Sequence, residues 1–400
     1  MKKNIHGLST PVKKTVVERI AQKDDVSKAE LLAEFSFTSS SLTRLLEELI
    51  SEGWIIESGL GQSTGGRKPI LYRINPTHRY IFGIEISRIH STIGLFDLKM
   101  NALEYRQWPM DETMTPQLLV NYVHEQMEGM KKRNGISRDK IAGIGIGAVG
   151  PLDRETGVIL NPLYFPAKGW TNVKLCQLIE EKTGVTALLD NGANTALMGE
   201  HWAYRQEKIQ HMLYIHVGTG LRSAMMSGGQ LVYGAVDMEG SIGQMVIQID
   251  GPRLDGTGNY GALEAFASVQ AMERQARFQI KMGRIQLREA ENLDPELVHF
   301  PLLVKALHRG DPYMKELFLQ SATYLGIGLG NLINILHPEK VILGGAMVNA
   351  NDSYFDMAVA TAQKNIYYAS EYQPVFTRGI FQEHAVAVGA AVLVLKQISI

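Results

Sequence analysis

The sequence predicts an α/β protein in which a winged helix-turn-helix precedes a larger body with two lobes, and three observations lead to this fold class. Helical periodicity dominates residues 11–53, and two extended segments rich in aromatic and β-branched residues follow. Apolar strands and helical segments alternate from Tyr80 onward. In that region a strand-turn-strand pattern occurs twice, at residues 80–103 and 211–232, which indicates a duplicated architecture.

Composition limits the protein class. The chain has 400 residues, of which 45% are apolar and 20% charged, as in ordinary globular proteins of roughly two to three domains. A formal net charge of −1 excludes a globally basic nucleic-acid coat protein but allows a local basic surface. The lone cysteine, Cys176, excludes intrachain disulfides and thiolate metal clusters, which fits a reducing cytoplasm.

Targeting and membrane signals are not expected. The N-terminus MKKNIHGLSTPVKK is basic but lacks the apolar stretch of a signal peptide. The most apolar run, residues 385–395, is about half of the ~20 residues that a membrane span requires. It therefore predicts a buried helix in a cytoplasmic protein without a membrane partner.

Three short helices are predicted at the N-terminus. Apolar residues recur at helical spacing in PVKKTVVERIAQK, residues 11–23. Ser27 is placed to cap KAELLAEF, and Thr38 to cap the following SSSLTRLLEELISEG, which ends at Gly53.

The extended runs WIIES (54–58) and PILYRI (69–74) then predict a hairpin, because a loop rich in Gly, Ser and basic residues joins them. Three helices followed by a hairpin form a winged helix-turn-helix. A three-helix bundle used only for protein contacts is the alternative.

Two groups of residues favour DNA binding. The third helix begins with small hydroxyls and one long cation, which suit phosphate and base-edge contacts in a major groove. The hairpin tip combines small residues with an Arg-Lys pair, which suits a narrow minor groove. The predicted DNA-binding residues are therefore Ser39, Ser40, Ser41, Thr43, Arg44, Gly66, Arg67 and Lys68.

The natural domain boundary is Asn75-Pro76, so residues 1–75 are the predicted DNA-binding domain and residues 76–400 the two-lobed body. A ligand cleft is expected between the lobes. Within the body the pattern predicts a helix near 116–132, strands in KIAGIGIGA, TALLD and VILGG, and a helix in VKLCQLIEEKTG.

The stretch DNGANTALMGE, residues 190–200, follows a predicted strand and opens a helix. Strand-to-helix corners of this kind hold ligands in α/β proteins, because the strand end and the helix N-terminus point into one crevice. Gly192 stands at the tip, where a reacting hydroxyl would need a carboxylate.

The order of these motifs resembles the ROK family, named for repressors, open reading frames and kinases. The landmarks are GIGIGAVGPLD, DNGANTALMGE, VGTGL, GSIGQM, GALEAFAS and VILGG, and they extend over nearly the whole chain. The resemblance implies a winged helix joined to a sugar-kinase body of the actin-like ATPase fold. It also implies a homodimer, or a higher homo-oligomer, that binds two operator half-sites.

The sequence departs from the family's kinases at both phosphate loops. Their first hairpin carries Asp-x-Gly-x-Thr, whereas residues 85–89 read EISRI, with Ser87 at the Gly and Ile89 at the Thr. In the second loop Arg222 stands where the family usually has glycine. A bulky side chain there is expected to occupy space that ATP phosphates need.

The catalytic base is also replaced. The family's Asn-Asp-Ala-Asn corner supplies the Asp that takes the proton from the sugar hydroxyl. Residues 191–194 read NGAN, so Gly192 replaces that Asp. Asp190 as a substitute base is the alternative. No catalytic residue and no cofactor are predicted.

The family's zinc ligands, one His and three Cys, correspond here to Gln244, Asp255, Thr257 and Ala262, a set that cannot make a structural zinc site. No metal is therefore expected. The loop 251–261 must instead be held by hydrogen bonds or remain mobile.

The sugar-side residues of the family are retained in part. The predicted effector-binding residues are Asn191, Ser241, Gln244, Glu264 and Trp170, because amide, hydroxyl and carboxylate groups exchange hydrogen bonds with sugar hydroxyls. Tyr164 and Trp170 could form an aromatic wall, with core packing as the alternative for both.

These features favour a cytoplasmic transcription regulator, a repressor of carbohydrate-utilisation genes, whose kinase-like body binds a sugar without chemistry. An oligosaccharide or a sugar phosphate is compatible with the altered pocket residues. An ATP-dependent sugar kinase with an appended DNA-binding domain is the alternative. Such a kinase would need an acidic residue at position 192 and small residues in both phosphate loops.

Overall fold

A computed structural model of the chain describes residues 11–62, 68–162, 165–237, 241–254, 258–285 and 294–398. The chain divides into two compact units, one formed by residues 1–208 with 384–400 and the other by residues 209–383. The N-terminal 75 residues thus belong to unit 1 together with the first part of the body. The domain boundary at residue 75 stays a prediction.

Unit 1 begins with short helices and a small antiparallel sheet. In chain order the elements are α1 (Pro11–Gln22), β1 (Val26–Ser27), α2 (Lys28–Glu34), α3 (Ser39–Ser51), β2 (Ile55–Leu60) and β3 (Ile70–Ile74). The sheet order is β1-β3-β2, so β3 pairs with both other strands. The three predicted helices and the hairpin are confirmed, and β1 is an element that the sequence pattern did not indicate.

Local hydrogen bonds fix the ends of these helices. Ser27 and Glu30 form a reciprocal capping box, since Ser27 Oγ accepts from Glu30 N at 3.2 Å and Glu30 Oε2 accepts from Ser27 N at 2.8 Å. Thr38 Oγ1 accepts from Ser41 N at 3.2 Å and caps α3. Gly53, at φ +84°, follows the end of α3 in a conformation that favours glycine. The helix boundaries predicted from capping residues are confirmed.

Ion pairs join the three helices around a small apolar core. Arg19 on α1 pairs with Glu34 on α2, and the hydrogen bond from this guanidinium is the main reason why the pKa of Glu34 falls to about 2. Lys13 Nζ lies 2.6 Å from a carboxylate oxygen of Glu52, beyond the end of α3. The core beneath consists of the buried residues Val16, Val17, Ile20, Val26, Leu31, Leu42, Leu46, Leu49 and Ile55.

The rest of unit 1 is a mixed sheet with helices. Its elements are β4 (Tyr80–Ile86), β5 (His90–Asp97), β6 (Ala102–Pro109), α4 (Pro116–Asn134), β7 (Ile141–Ala148), β8 (Leu152–Asp153), β9 (Val158–Ile159), α5 (Leu175–Thr183), β10 (Ala187–Asn191) and α6 (Gly192–Ala203). The main sheet has the order β10-β7-β4-β5-β6. Strands β10, β7 and β4 are parallel, and β5 is antiparallel to both of its neighbours, β4 and β6.

Unit 2 repeats this design. Its elements are β11 (Met212–Val217), β12 (Leu221–Ser227), β13 (Gln230–Leu231), α7 (Glu264–Ala267), α8 (Val269–Lys281), α9 (Phe300–His308), α10 (Pro312–Leu336), β14 (Lys340–Gly344), α11 (Ala346–Ala350), α12 (Asp352–Lys364) and β15 (Val375–Thr377). The sheet order is β13-β12-β11-β14-β15. As in unit 1, three neighbouring strands, β11, β14 and β15, are parallel, and the next strand, β12, is antiparallel to both of its neighbours, β11 and β13. The predicted duplication is confirmed.

The last helix, α13 (Ala385–Gln397), returns to unit 1. Most of its residues are buried, as predicted for this apolar run. Among the described residues, none of the helices has the length and hydropathy of a membrane span.

Glycines allow α13 to lie directly on the sheet and on α6. A methyl group at Gly83 on β4 would overlap the carbonyl oxygen of Ala387, and one at Gly145 on β7 would overlap that of Ala390. On the other side of the helix, a methyl at Gly389 would overlap the carbonyl oxygen of Thr195 on α6. The backbone of α13 therefore lies closer to β4, β7 and α6 than it could if these positions carried a side chain.

Gly145→Ala should destabilise the protein, because the added methyl cannot be accommodated unless α13 moves away from β7. We expect a loss of about 1–3 kcal/mol in the free energy of unfolding, as for overpacked cores, measured by urea denaturation. Gly129→Ala in α4 is the matched control, because its methyl would meet only the flexible guanidinium of Arg133. Equal stability of the two variants would contradict the proposed backbone contact.

Candidate functional site

The N-terminal half of α3 presents polar side chains to solvent. Ser39, Ser40 and Ser41 are exposed, and the side chain of Arg44 is 83% exposed. The opposite side of the helix carries the buried residues Leu42, Leu46 and Leu49. Burial of this apolar stripe thus orients the predicted DNA-binding residues outward.

Lys28 adds a second cation to this surface. It is the first residue of α2, and its Nζ donates to Ser39 Oγ at 2.8 Å and to Thr43 Oγ1. Sequence reasoning missed Lys28 because its closeness to α3 depends on how α2 and α3 pack. Arg44 Nε lies 3.2 Å from Glu48 Oε1 one helical turn further on.

The hairpin formed by β2 and β3 is the predicted wing. Gly61 N donates to Pro69 O at 2.8 Å, and a register shift between Glu57 and Gly59 distorts the ladder. Lys68 is exposed at the beginning of the returning strand. The predicted tip residues Gly66 and Arg67 lie outside the described residues.

The turn after β4 uses its own side chain to bind its amides. Ser87 Oγ accepts from Ile89 N at 3.3 Å and from His90 N at 3.2 Å, and it donates to His90 O at 2.6 Å. The retained carboxylate of Glu85 lies 3.6 Å from His90 Nε2. A phosphate loop binds its anion through backbone amides, and at this turn two of those amides already have an acceptor.

The corner between β10 and α6 is closed by side-chain hydrogen bonds. Asn191 caps α6, since its Oδ1 accepts from Asn194 N at 2.8 Å. Asp190 is 2% exposed, and its Oδ1 accepts from Asn194 Nδ2 at 2.9 Å and from Asn191 N at 2.7 Å. Asp190 thus stabilises the corner, which disfavours the alternative that it replaces the base missing at Gly192.

In unit 2, Glu264 begins α7 and its carboxylate lies between two glycine turns. A methyl at Gly220 would come within 2.7 Å of Glu264 Oε1, and one at Gly243 would overlap Oε2. The backbone carbonyl of Glu264 accepts from Ser268 Oγ at 2.7 Å. Glycines at these two positions therefore leave the space in which the half-buried carboxylate lies.

Hydrogen bonds hold the described part of the Gly-rich loop. Gln244 Oε1 accepts from Asn259 N at 2.8 Å, and Asn259 Nδ2 donates to Gln244 O at 2.9 Å. Further along, Ile247 N donates to Gly261 O at 2.9 Å. The alternative in which hydrogen bonds hold the loop is confirmed for these residues. The side-chain oxygen of Gln244, predicted to contact a ligand, is here bonded to the loop.

The other predicted metal and ligand positions are only partly described. Asp255 and Thr257 lie outside the described residues, and Ala262 is buried. The backbone of Ser241 begins a short 3₁₀ turn, Ser241–Gln244. Within the described ranges, His, Cys, Asp and Glu side chains form no group of three suited to a metal ion.

Trp170 is a core residue, which corrects its prediction as part of an aromatic wall. It is 3% exposed, its Nε1 donates to Met114 O at 3.1 Å, and its ring centroid lies 4.7 Å from that of Phe165. Its polar group is thus satisfied inside the hydrophobic core. Tyr164, the other candidate, lies outside the described residues.

Arg222 lies on β12 immediately after the Gly218-Thr219-Gly220 turn. Its Cα partner on β11 is His216, and its side chain is half-buried. The turn itself is closed by a hydrogen bond of 3.0 Å from Gly218 N to Gly220 O. The two large side chains of Arg222 and His216 thus lie on paired strands beside this turn.

Comparisons with known proteins identify relatives along nearly the whole chain. Residues 81–397 match the model of the ROK family. Over 398 residues the chain is 26% identical to the xylose repressor of Caldicellulosiruptor bescii, which covers 98% of this chain and 97% of the relative. It is 24% identical over 342 residues both to the DNA-binding transcriptional dual regulator NagC of Escherichia coli strain K12 and to the N-acetylglucosamine repressor of E. coli O6:H1, and each match covers 84% of this chain and 80% of the relative.

Solved structures have the same fold. A ROK family transcriptional regulator, a homologue of the E. coli MLC protein, has a TM-score of 0.78 at 21% identity and covers 96% of this chain and 97% of its own. The ROK hexokinase from Thermus thermophilus has a TM-score of 0.63 at 27% identity, and the match covers 78% of this chain and 97% of the hexokinase chain. The regulator structure therefore corresponds to nearly the whole chain, and the kinase structure to a smaller part of it.

Proposed function

The chain belongs to the ROK family, and on that premise we propose that it is a transcription regulator, a repressor of carbohydrate-utilisation genes. The observation that carries this proposal is the exposed N-terminal half of α3, with its row of hydroxyls and the cations Arg44 and Lys28. Relatives named xylose repressor and N-acetylglucosamine repressor support it. Access to DNA places this function in the cytoplasm.

We propose that the N-terminal elements form a winged helix-turn-helix, because three helices precede a hairpin. We assign α3 to the major groove, with Ser39, Ser40, Ser41, Thr43 and Arg44 as contact residues. The β2–β3 hairpin is the wing, and Lys68, Arg67 and Gly66 are its proposed contact residues. A homodimer would present two such modules to two operator half-sites, since operator symmetry follows protein symmetry.

We propose that polar groups of the body recognise a sugar effector, with Glu264 as the main contact. Its carboxylate lies beside two glycine turns, where it can accept hydrogen bonds from hydroxyl groups. Ser241 and Asn191 remain proposed contacts. Gln244 acts through the loop that it holds, by way of Asn259.

The body is proposed to bind without catalysis. Gly192 offers no base, and the carboxylate of neighbouring Asp190 is bonded to Asn194 and Asn191. Ser87 binds the amides of the turn that would contact a phosphate. Both requirements of phosphoryl transfer, a base for the hydroxyl and donors for the phosphates, are therefore impaired.

Arg44→Ala should weaken DNA binding about 5- to 150-fold, because one specific arginine contact contributes about 1–3 kcal/mol. Fluorescence anisotropy on duplex DNA that the wild type selects from a random library measures this at about 0.15 M salt. Arg133→Ala on α4 is the control, since Arg133 is 48% exposed and pairs with Glu104. Equal affinity of the Arg44 variant and the wild type would contradict this assignment of α3.

Glu264→Gln should weaken sugar binding about 10-fold or more, because hydrogen bonds to a charged group contribute about 1.5–3 kcal/mol each. Calorimetric titration with D-xylose and with N-acetylglucosamine measures the affinity, and DNA affinity without sugar should stay within about threefold. Glu316→Gln, at an exposed position of α10, is the control. Wild-type sugar affinity in the Glu264 variant would exclude it from the effector site.

Neither the wild type nor Gly192→Asp should transfer the γ-phosphoryl group of ATP to a sugar. The added carboxylate supplies only about 10² to 10⁴ of the rate, whereas phosphate positioning supplies more. A coupled assay over a sugar panel measures turnover, with an active ROK kinase as the positive control. Turnover of about 1–100 per second in the wild type would favour the sugar-kinase alternative.

A further inference from the structure

A polar junction joins the N-terminal helices to the body within unit 1. Asp24 lies in the turn between α1 and β1, and α2 follows β1. Its carboxylate accepts a hydrogen bond of 3.0 Å from Gln206 Nε2. Lys99 Nζ and Arg205 Nη2 lie 3.3 Å and 3.6 Å from Oδ1 of the same carboxylate.

The partners of Asp24 come from two places in the body. Lys99 lies in the turn between β5 and β6, and Arg205 and Gln206 directly follow α6. Arg205 is itself held, since its Nη1 donates to Trp202 O at 3.1 Å and its guanidinium lies 4.9 Å from the centre of the Trp202 ring. The cation that faces Asp24 is therefore anchored to the last turn of α6.

Charge reinforces the junction. Partial burial raises the pKa of Asp24, but the hydrogen bond from Lys99 and the positive charges of Lys99 and Arg205 outweigh it, so the pKa lies below its usual value. Asp24 is thus ionised at neutral pH, and three donors from the body meet one carboxylate of the N-terminal region.

A second contact secures the other part of α1. Lys14 Nζ donates to the carbonyl oxygen of Lys396 at 3.1 Å, near the end of α13. Because α13 contacts α6 backbone to backbone at Gly389, both attachments lead to the same pair of helices. The position of α1, and of the helices that pack on it, therefore follows the α6–α13 pair.

We propose that Asp24 is the positioning residue that couples effector binding to DNA binding, by fixing α1–α3 to the end of α6. This rests on the proposed function, because Asn191 at the start of α6 is there assigned to the effector. α6 has 12 residues, so it spans about 18 Å at 1.5 Å per residue. A joint displacement of the α6–α13 pair moves Arg205 and Gln206, and Asp24 carries that displacement to α2 and α3.

The test compares Asp24→Asn with Asp25→Asn, which removes the same charge from the exposed neighbouring residue. DNA affinity is measured by anisotropy with and without D-xylose or N-acetylglucosamine. The sugar-induced change in DNA affinity should shrink at least about fivefold in Asp24→Asn and stay at the wild-type value in Asp25→Asn. Sugar affinity should be unchanged in both, and Asp24→Glu should retain most of the response.

A wild-type response in Asp24→Asn, or an equal loss in Asp25→Asn, would overturn the proposal. If the wild type itself does not respond to sugar, the proposed function fails, and hydrogen exchange then decides the junction separately. Amides of α1–α3 should exchange faster in Asp24→Asn than in Asp25→Asn in the sugar-free protein. Identical exchange in the two variants would show that Asp24 does not position these helices.

Discussion

Unit 1 depends on a backbone contact that only glycines permit. α13 lies directly on β4 and β7 because Gly83 and Gly145 have no side chain, and it lies directly on α6 at Gly389. Close-packed interiors transmit displacement because they have no space to absorb it. α6 is therefore held between its strand β10 and the buried helix α13. The corner between β10 and α6 is held in place by the same contacts.

Polar side chains in the candidate ligand regions mainly bind their own backbone. Ser87 accepts from the amides of its turn, Asp190 from the α6 corner, and Gln244 from the Gly-rich loop. Buried polar groups need partners, and these contacts supply them without a phosphate or a metal ion. Of the two alternatives for the Gly-rich loop, hydrogen bonds or mobility, its described residues have the hydrogen bonds.

Local signals were predictable from the sequence, whereas contacts made by packing were not. The capping residues Ser27 and Thr38 gave correct helix starts because a cap and its helix are adjacent in the chain. β1 has two residues and β6 is mostly exposed, so neither shows a clear apolar pattern. The Gln244–Asn259 pair joins positions 15 residues apart, and only the folded loop brings them together. Trp170 was ambiguous because aromatic residues suit both a core and a sugar site.

In the proposed coupling, the modest contacts at Asp24 control the position of α1–α3. An exposed ion pair contributes only up to about 1 kcal/mol, too little to determine the fold of unit 1. A coupling free energy of about 1–3 kcal/mol is enough, however, to change an affinity 5- to 150-fold. A few contacts such as those of Asp24 and Lys14 are thus strong enough for the proposed coupling. Because coupling is reciprocal, DNA that repositions α1–α3 must change effector affinity by the same factor.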